Sequence, residues 1–380
     1  MNDSMQQAMR LMRGGDLVGA TRVLQQRLAA VAPANDGACA DRPASSEAIA
    51  PAPASSDCIE GEFRVVEREQ PVPAPPAKAV DAGQATFRSE HFSSGTGELD
   101  YKLFVPAGLE LGRAPLLVML HGCTQSADDF AVGTRMNALA GAQGYVVAYP
   151  QQSMQRNRNR CWNWFRGGDQ QREKGEPALL AALTRHLVVE HGLDARRVYV
   201  AGLSAGGAMA AVLASTHPDL FAAIGVHSGL PIGLASDVPS AFAAMRTGKA
   251  GGHRRRAGAA TATSAARVPA IVFHGDGDTT VHPHNGLGVV AQSLGGADND
   301  IAARATTTVE RGVENGGRQY TRTRHLHDGR ISAEHWLTHG AAHAWSGGDP
   351  AGSYTDPSGP DASEHMLRFF AEQTLRANIR

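Results

Sequence analysis

The sequence predicts an α/β fold in which a mostly parallel central sheet is covered by helices on both faces. Three observations carry that prediction. Short strands that are apolar throughout alternate with helical stretches, the pattern of strands buried on both sides. A pair of alternating, hairpin-like segments precedes them. Finally, Gly202-Leu203-Ser204-Ala205-Gly206 lies between the β-branched run Val198-Tyr199-Val200 and the helix-forming run Ala208-Met209-Ala210-Ala211-Val212-Leu213, which reads as strand, sharp turn, helix.

Taken in order, Ala85–Phe92 and Glu98–Val105 flank the turn-forming Ser93-Ser94-Gly95-Thr96-Gly97 and predict a β-hairpin. Leu116–Leu120, Tyr145–Tyr149, Arg197–Ala201, Ala222–Val226 and Ala270–Phe273 read as core strands, with helices over Ala127–Gln143, Pro177–His191, Ala205–Thr216 and His284–Leu294. Ala305–Val313 and Gln319–His327 read as extended segments, His335–Thr338 as a last short strand and Asp361–Leu375 as a closing helix. A hairpin, then a parallel core, with a serine turn behind a central strand, points to an α/β-hydrolase fold spanning residues 83–380. Ahead of it, Met5, Met9 and Met12, a Gly14-Gly15 break and then Leu17, Val18, Val23, Leu24 and Leu28 predict a helical segment over residues 1–29. Residues 30–82 are dominated by Ala, Pro, Ser and Asp and predict a disordered linker, because such a stretch buries too little apolar surface to offset its ordering entropy. The Gly/Ala/Arg-rich stretch from Arg246 to Arg267 reads as a solvated insertion.

A net charge of −1 over 380 residues gives no support for nucleic-acid or anionic-membrane partners. No run of about eighteen apolar residues exists to span a bilayer. The N-terminus lacks a basic n-region, an apolar h-region and a small-residue cleavage site, which favours a cytoplasmic or non-classically exported protein. The four cysteines match no zinc spacing, and no metal or other cofactor is expected. Cys39 and Cys58 lie in the linker. Cys123 and Cys161 fall beside expected site loops, where a disulfide is compatible with an oxidising compartment; the sequence leaves the pairing open.

The chemistry starts from Ser204. A serine hydroxyl becomes a useful nucleophile when it is exposed, held in one orientation and hydrogen-bonded to a base. The turn supplies the exposure, and the helix that begins at Ala205 points free N–H groups at the same place. A carboxylate and then a histidine are expected further along, each on a loop after a later strand. For the acid, Asp278 is preferred over Asp276, which stands nearer the strand end and suits a turn-bracing role. For the base, His343 on a small-residue loop is preferred over His335 and His339. His121-Gly122-Cys123-Thr124-Gln125 follows a strand where a second oxyanion donor is expected. Cys123 is the first choice there, beside Ala205, and Thr124 is the second. Cys161-Trp162-Asn163-Trp164-Phe165 is a conspicuous cluster in a chain only 6% aromatic. Trp162 and Trp164 are therefore candidates to pin this loop to the core and to wall a substrate pocket, roles that can coexist, with Trp345 as a second wall and Thr124 as a further candidate contact.

Leu120-His121-Gly122-Cys123-Thr124-Gln125, Tyr149-Pro150-Gln151-Gln152, Cys161-Trp162-Asn163-Trp164-Phe165, Gly202-Leu203-Ser204-Ala205-Gly206-Gly207-Ala208-Met209 and Gly340-Ala341-Ala342-His343-Ala344-Trp345-Ser346-Gly347-Gly348 together resemble the polyhydroxybutyrate depolymerase family of esterases. The resemblance runs from about Thr86 onwards. It implies hydrolysis of short-chain hydroxyalkanoate or related carboxylic esters, as oligomer or polymer, with Ser204, Asp278 and His343 at the triad positions and Cys123 at the oxyanion position. The family also has acetylxylan and feruloyl esterase relatives, and its polymer-degrading members are often extracellular. The expected partner is thus an ester substrate, with oligomeric state left open. A non-catalytic scaffold recruited through the N-terminal segment is the reading from another class.

Overall fold

The computed structural model describes residues 84–109, 112–249, 267–295, 306–314 and 317–375. The expected N-terminal helical segment, the linker and most of the arginine-rich insertion lie outside the described residues.

The chain opens with β1 (Thr86–Ser94) and β2 (Gly97–Val105), an antiparallel hairpin in the expected place. Then follow β3 (Leu116–Leu120), β4 (Val146–Pro150), β5 (Val198–Leu203), β6 (Ala223–His227) and β7 (Ala270–Gly275), every residue of which is buried. That burial explains why these strands show no polar alternation in the sequence. β8 (Thr306–Val313), β9 (Gln319–His327) and β10 (Arg330–Thr338) complete one sheet in the order β1-β2-β4-β3-β5-β6-β7-β10-β9-β8. The six strands from β4 to β10 in that order are parallel neighbours, and antiparallel pairs finish both edges.

Helices cover both faces, as the mixed alternation predicted. α1 (Ala127–Thr134), α2 (Met136–Ala142) and α7 (Ala362–Ala371) pack over one apolar layer, built on Leu117, Val147, Tyr199, Phe273 and Phe370. α3 (Gly175–Glu190), α4 (Ala205–Thr216), α5 (Val238–Thr247) and α6 (His284–Ser293) cover the other, built on Val118, Ala148, Val200, Ile224 and Val272. The result is an α/β-hydrolase fold. Among the described residues no helix is long and apolar enough to cross a membrane.

Among the elements that differ from the sequence reading, three do so for local reasons that the contacts show. The single helix expected over Ala127–Gln143 breaks at Arg135, whose φ of 54° ends α1 while its guanidinium reaches the Gly347 carbonyl and the Asp361 carboxylate. α5 was not expected; it is set by a capping box between Asp237 and Ser240 and stopped by Gly248 at φ 65°. β10 starts five residues earlier than its expected first residue, His335, because pairing with β9 extends it back to Arg330.

Chain order places a switch point at β3. The chain passes from β3 outward to β4 and then crosses back to β5 on β3's other side, so the loops after β3 and β5 open a crevice at the carboxyl ends of those strands.

Candidate active site

The loop after β5 carries Ser204 at φ 57° and ψ −117°, a conformation that a non-glycine residue holds at a cost of order 1–3 kcal/mol. Close packing on both sides holds it there. A side chain on Gly202 would meet the Leu120 carbonyl oxygen at 2.6 Å, and one on Gly206 would run into the same carbonyl. The Ser204 N–H is donated to the His227 carbonyl at 2.8 Å, tying the turn to the end of β6. Ser204 caps nothing with its side chain. The hydroxyl is therefore left for other work.

The loop after β7 carries Asp278 and the loop after β10 carries His343. Asp278 Oδ1 accepts the N–H groups of Thr280 and Val281, both at 2.8 Å, which fixes the carboxylate and aims Oδ2 at His343 Nδ1, 2.6 Å away. An Nδ1–H donated to a carboxylate leaves His343 Nε2 as the acceptor nitrogen. Burial opposes ionisation of Asp278, but hydrogen bonds from His274 and His343 and the charge of His343 outweigh it, so the carboxyl is held well below the usual range. Among the described residues no hydrogen bond joins Ser204 Oγ to His343, and such contacts commonly tighten only around bound substrate.

Asp276 and His339 form a second pair on the same two loops. His339 Nδ1 lies 2.7 Å from Asp276 Oδ2, and Asp276 Oδ1 accepts the Gly340 N–H at 2.6 Å, so Asp276 cross-braces the loops. The third histidine considered, His335, is buried within β10. Burial pushes its pKa down to about 4.

The Cys123 N–H makes no hydrogen bond among the described residues, and the Ala205 N–H is the first of helix α4. Thr124, the second choice, already gives its N–H to the Asn159 carbonyl at 2.7 Å. Its geometry therefore argues against an oxyanion role and for a structural one. Cys123 and Cys161 form a disulfide, which joins the loop after β3 to the Trp162 loop.

The three tryptophans stand apart from the pocket-wall expectation, because all are buried: Trp162 gives Nε1–H to the His121 carbonyl at 3.1 Å, Trp164 packs edge-on against Phe165, and Trp345 bonds Ser363 Oγ at 3.1 Å. Trp162 and Trp164 thereby pin their loop, the other role open to them in the sequence, and Trp345 anchors the His343 loop, a role not expected for it.

Sequence reasoning missed the buried polar frame behind the site. His121 gives Nδ1–H to the Gly122 carbonyl and receives the Gln152 N–H at Nε2, 3.1 Å away. Burial holds it neutral, with its pKa lowered to about 4. Glu176 accepts from Gln152 Nε2 and from the N–H and side-chain amide of Asn163, the last two at 2.6 Å. Burial, then the charge of Asp169, raises its pKa to about 7. His227, whose backbone carbonyl accepts the Ser204 N–H, stacks its ring on Trp345 and receives the Ser346 N–H at 2.9 Å, so one residue ties the Ser204 turn to the His343 loop. The available signal was the ionisable residue at the end of an apolar strand or in the first turn of a helix. Among the described residues no group of three or more His, Cys, Asp or Glu side chains is arranged to hold a metal ion.

Comparison with known proteins follows this geometry. The chain is 36% identical over 206 residues to a poly(3-hydroxyalkanoate) depolymerase C of Paucimonas lemoignei, covering 53% of this chain and 49% of the relative. It is 27% identical over 326 residues to a poly(3-hydroxybutyrate) depolymerase of Ralstonia pickettii, covering 80% and 64% respectively. A feruloyl esterase B of Thermothelomyces thermophilus is 30% identical over 151 residues, 40% of this chain and 50% of that one. The chain thus spans about half to two thirds of the length of these relatives. A solved acetyl xylan esterase from Aspergillus awamori superposes with a TM-score of 0.55 at 19% identity, over 75% of this chain and 99% of that one, which is a likeness of fold. Residues 99–313 match the family described as Esterase PHB depolymerase, a stretch that holds Cys123, Ser204 and Asp278 and ends before His343. With more than half of its residues in that match, the chain belongs to the Esterase PHB depolymerase family.

Proposed function

We propose that the protein is a serine esterase in which Ser204, His343 and Asp278 act together. Ser204 Oγ attacks the carbonyl carbon of a carboxylic ester while His343 Nε2 takes its proton, and Asp278 holds the ring and stabilises the imidazolium. The N–H groups of Cys123 and Ala205 receive the oxyanion of the tetrahedral intermediate, each worth roughly 3 kcal/mol in the transition state. His343 then returns the proton to the departing alcohol, leaving an acyl-enzyme that water cleaves by the same steps. The observation that carries this reading is the buried Asp278 carboxylate 2.6 Å from His343 Nδ1, a contact that leaves Nε2 as the acceptor nitrogen.

For substrate, we favour acyl esters borne by carbohydrate. Relatives named feruloyl esterase B and acetylxylan esterase A recur among the similar curated proteins. Hydroxyalkanoate oligomers are the second reading, favoured by the 36% identical depolymerase.

The test is hydrolysis of p-nitrophenyl butyrate by the purified chain and by Ser204→Ala. Turnover should fall by several orders of magnitude in the variant, and an unchanged rate would remove Ser204 from the chemistry. Side-by-side rates on methyl ferulate, acetylated xylan and hydroxybutyrate trimer then separate the two substrate classes.

A further inference from the structure

With Trp162, Trp164 and Trp345 in the core, the crevice needs another surface for the part of a substrate beyond the ester group. Among the described residues the exposed aromatic rings are Phe87, on the outer strand β1, and Tyr354, which is 45% exposed. Tyr354 is not loosely displayed. Its backbone carbonyl accepts the Trp345 N–H at 2.6 Å, two residues beyond His343. The short parallel pair β11 (Trp345–Ser346) and β12 (Thr355–Asp356) continues from that bond. Its phenol oxygen lies 3.1 Å from Thr124 Oγ1, beside Cys123.

Donor counting orients this contact. Thr124 has one hydroxyl proton, and Oγ1 spends it on the Cys123 carbonyl at 2.5 Å. The Tyr354 O–H is therefore the donor to Thr124. Tyr354 thus joins the oxyanion loop to the histidine loop, and its ring stands on the rim between them.

The backbone also marks the residue. Tyr354 has φ 53°, an uncommon conformation for a bulky side chain. Its neighbours hold it there: Ser353 N–H bonds Asp129 Oδ1 at 2.9 Å, the Ser353 carbonyl accepts from Gln125 Nε2 at 3.0 Å, and Gly352 packs directly on Gly133. Strain maintained by several independent contacts is typical of binding rims.

We infer that Tyr354 is a specificity-determining residue, whose ring packs against the aromatic or extended portion of an ester substrate. This rests on the esterase reading above. Two measurements separate the two claims. In the Ser204→Ala background, methyl ferulate binding should weaken about tenfold on adding Tyr354→Ala, a size set by loss of an aromatic contact. Equal affinity would overturn the inference whether or not the chain is an esterase. In the active chain, Tyr354→Ala should raise KM for methyl ferulate about tenfold relative to Tyr354→Phe, which likewise lacks the bond to Thr124 but keeps the ring, whereas the two variants should have kcat/KM for ethyl acetate equal within about twofold. Tyr354→Phe, which keeps the ring, should retain most of the methyl ferulate affinity. An equal loss on both esters would mean that Tyr354 merely props the loops, and would contradict the inference.

Discussion

Two aspartate–histidine pairs share one pair of loops, their aspartates two residues apart and their histidines four, and they differ in surroundings far more than in geometry. Asp276–His339 and Asp278–His343 are separated by 2.7 Å and 2.6 Å. Yet the side chains of the first pair are 40% and 37% exposed, whereas those of the second are 0% and 12% exposed. Water screens the outer pair, and such contacts are usually worth 0–1 kcal/mol. The inner carboxylate, held by two N–H groups and flanked by His274 at 3.5 Å, is a fixed charge in a low-dielectric setting. Burial, not hydrogen-bond length, distinguishes a pair that can do chemistry from one that braces a loop.

The largest effect should come from breaking the inner pair. Asp278→Asn removes the acceptor that holds the Nδ1–H tautomer of His343 and should lower kcat/KM about 10³–10⁴-fold. A loss below tenfold would mean that the carboxylate is only structural.

Acid and base sharpen the comparison at a second scale, through groups buried as deeply as Asp278. His121 and His335 have folded pKa values of about 4 against about 6.5 unfolded. Between those values the unfolded chain binds more protons, so stability falls as pH drops from about 6.5 to 4, by up to roughly 3 kcal/mol for each ring. Glu176 acts in the opposite sense. With its carboxyl raised to about 7, the folded chain holds the extra proton and stability falls as pH rises from about 4.5 to 7. Glu176→Gln puts an amide nitrogen where a carboxyl oxygen accepts from Gln152 or Asn163, so it should lower stability at pH 4.5, and, having no proton to lose, it should make the gain on going from pH 4.5 to 7 steeper. Denaturant midpoints across that range read both effects, and an unchanged slope would show that Glu176 does not titrate there.

The smallest effect belongs to the outer pair. Asp276→Asn and His339→Asn should each leave kcat/KM within about threefold and cost no more than about 1 kcal/mol in urea unfolding. A loss matching that of Asp278→Asn would erase the distinction drawn from burial.

The same contrast explains what was legible in the sequence. The strands of the parallel core and helix α4 were readable because their residues are buried on both faces and follow a simple pattern. The Ser204 turn was readable because Gly202 and Gly206 admit no side chain beside the Leu120 carbonyl. The Asp278–His343 pairing was readable from their positions on loops after two later strands, which turn out to be neighbours in the sheet. The tryptophans were ambiguous, because a large aromatic near a site loop reads alike whether it faces substrate or core. Tyr354 was illegible, since its role depends on Thr124, 230 residues away in the chain. The Glu176 and His121 frame was hidden for a related reason: its members are scattered polar residues whose hydrogen bonds exist only once the two loops are joined.

The most direct test of the account is covalent labelling with phenylmethylsulfonyl fluoride followed by peptide mass spectrometry. The account predicts one sulfonyl group per chain, on Ser204, with labelling abolished by Ser204→Ala and strongly slowed by His343→Ala and Asp278→Asn but not by Asp276→Asn. A label on another residue, or Ser204 labelling at an unchanged rate without His343, would contradict it.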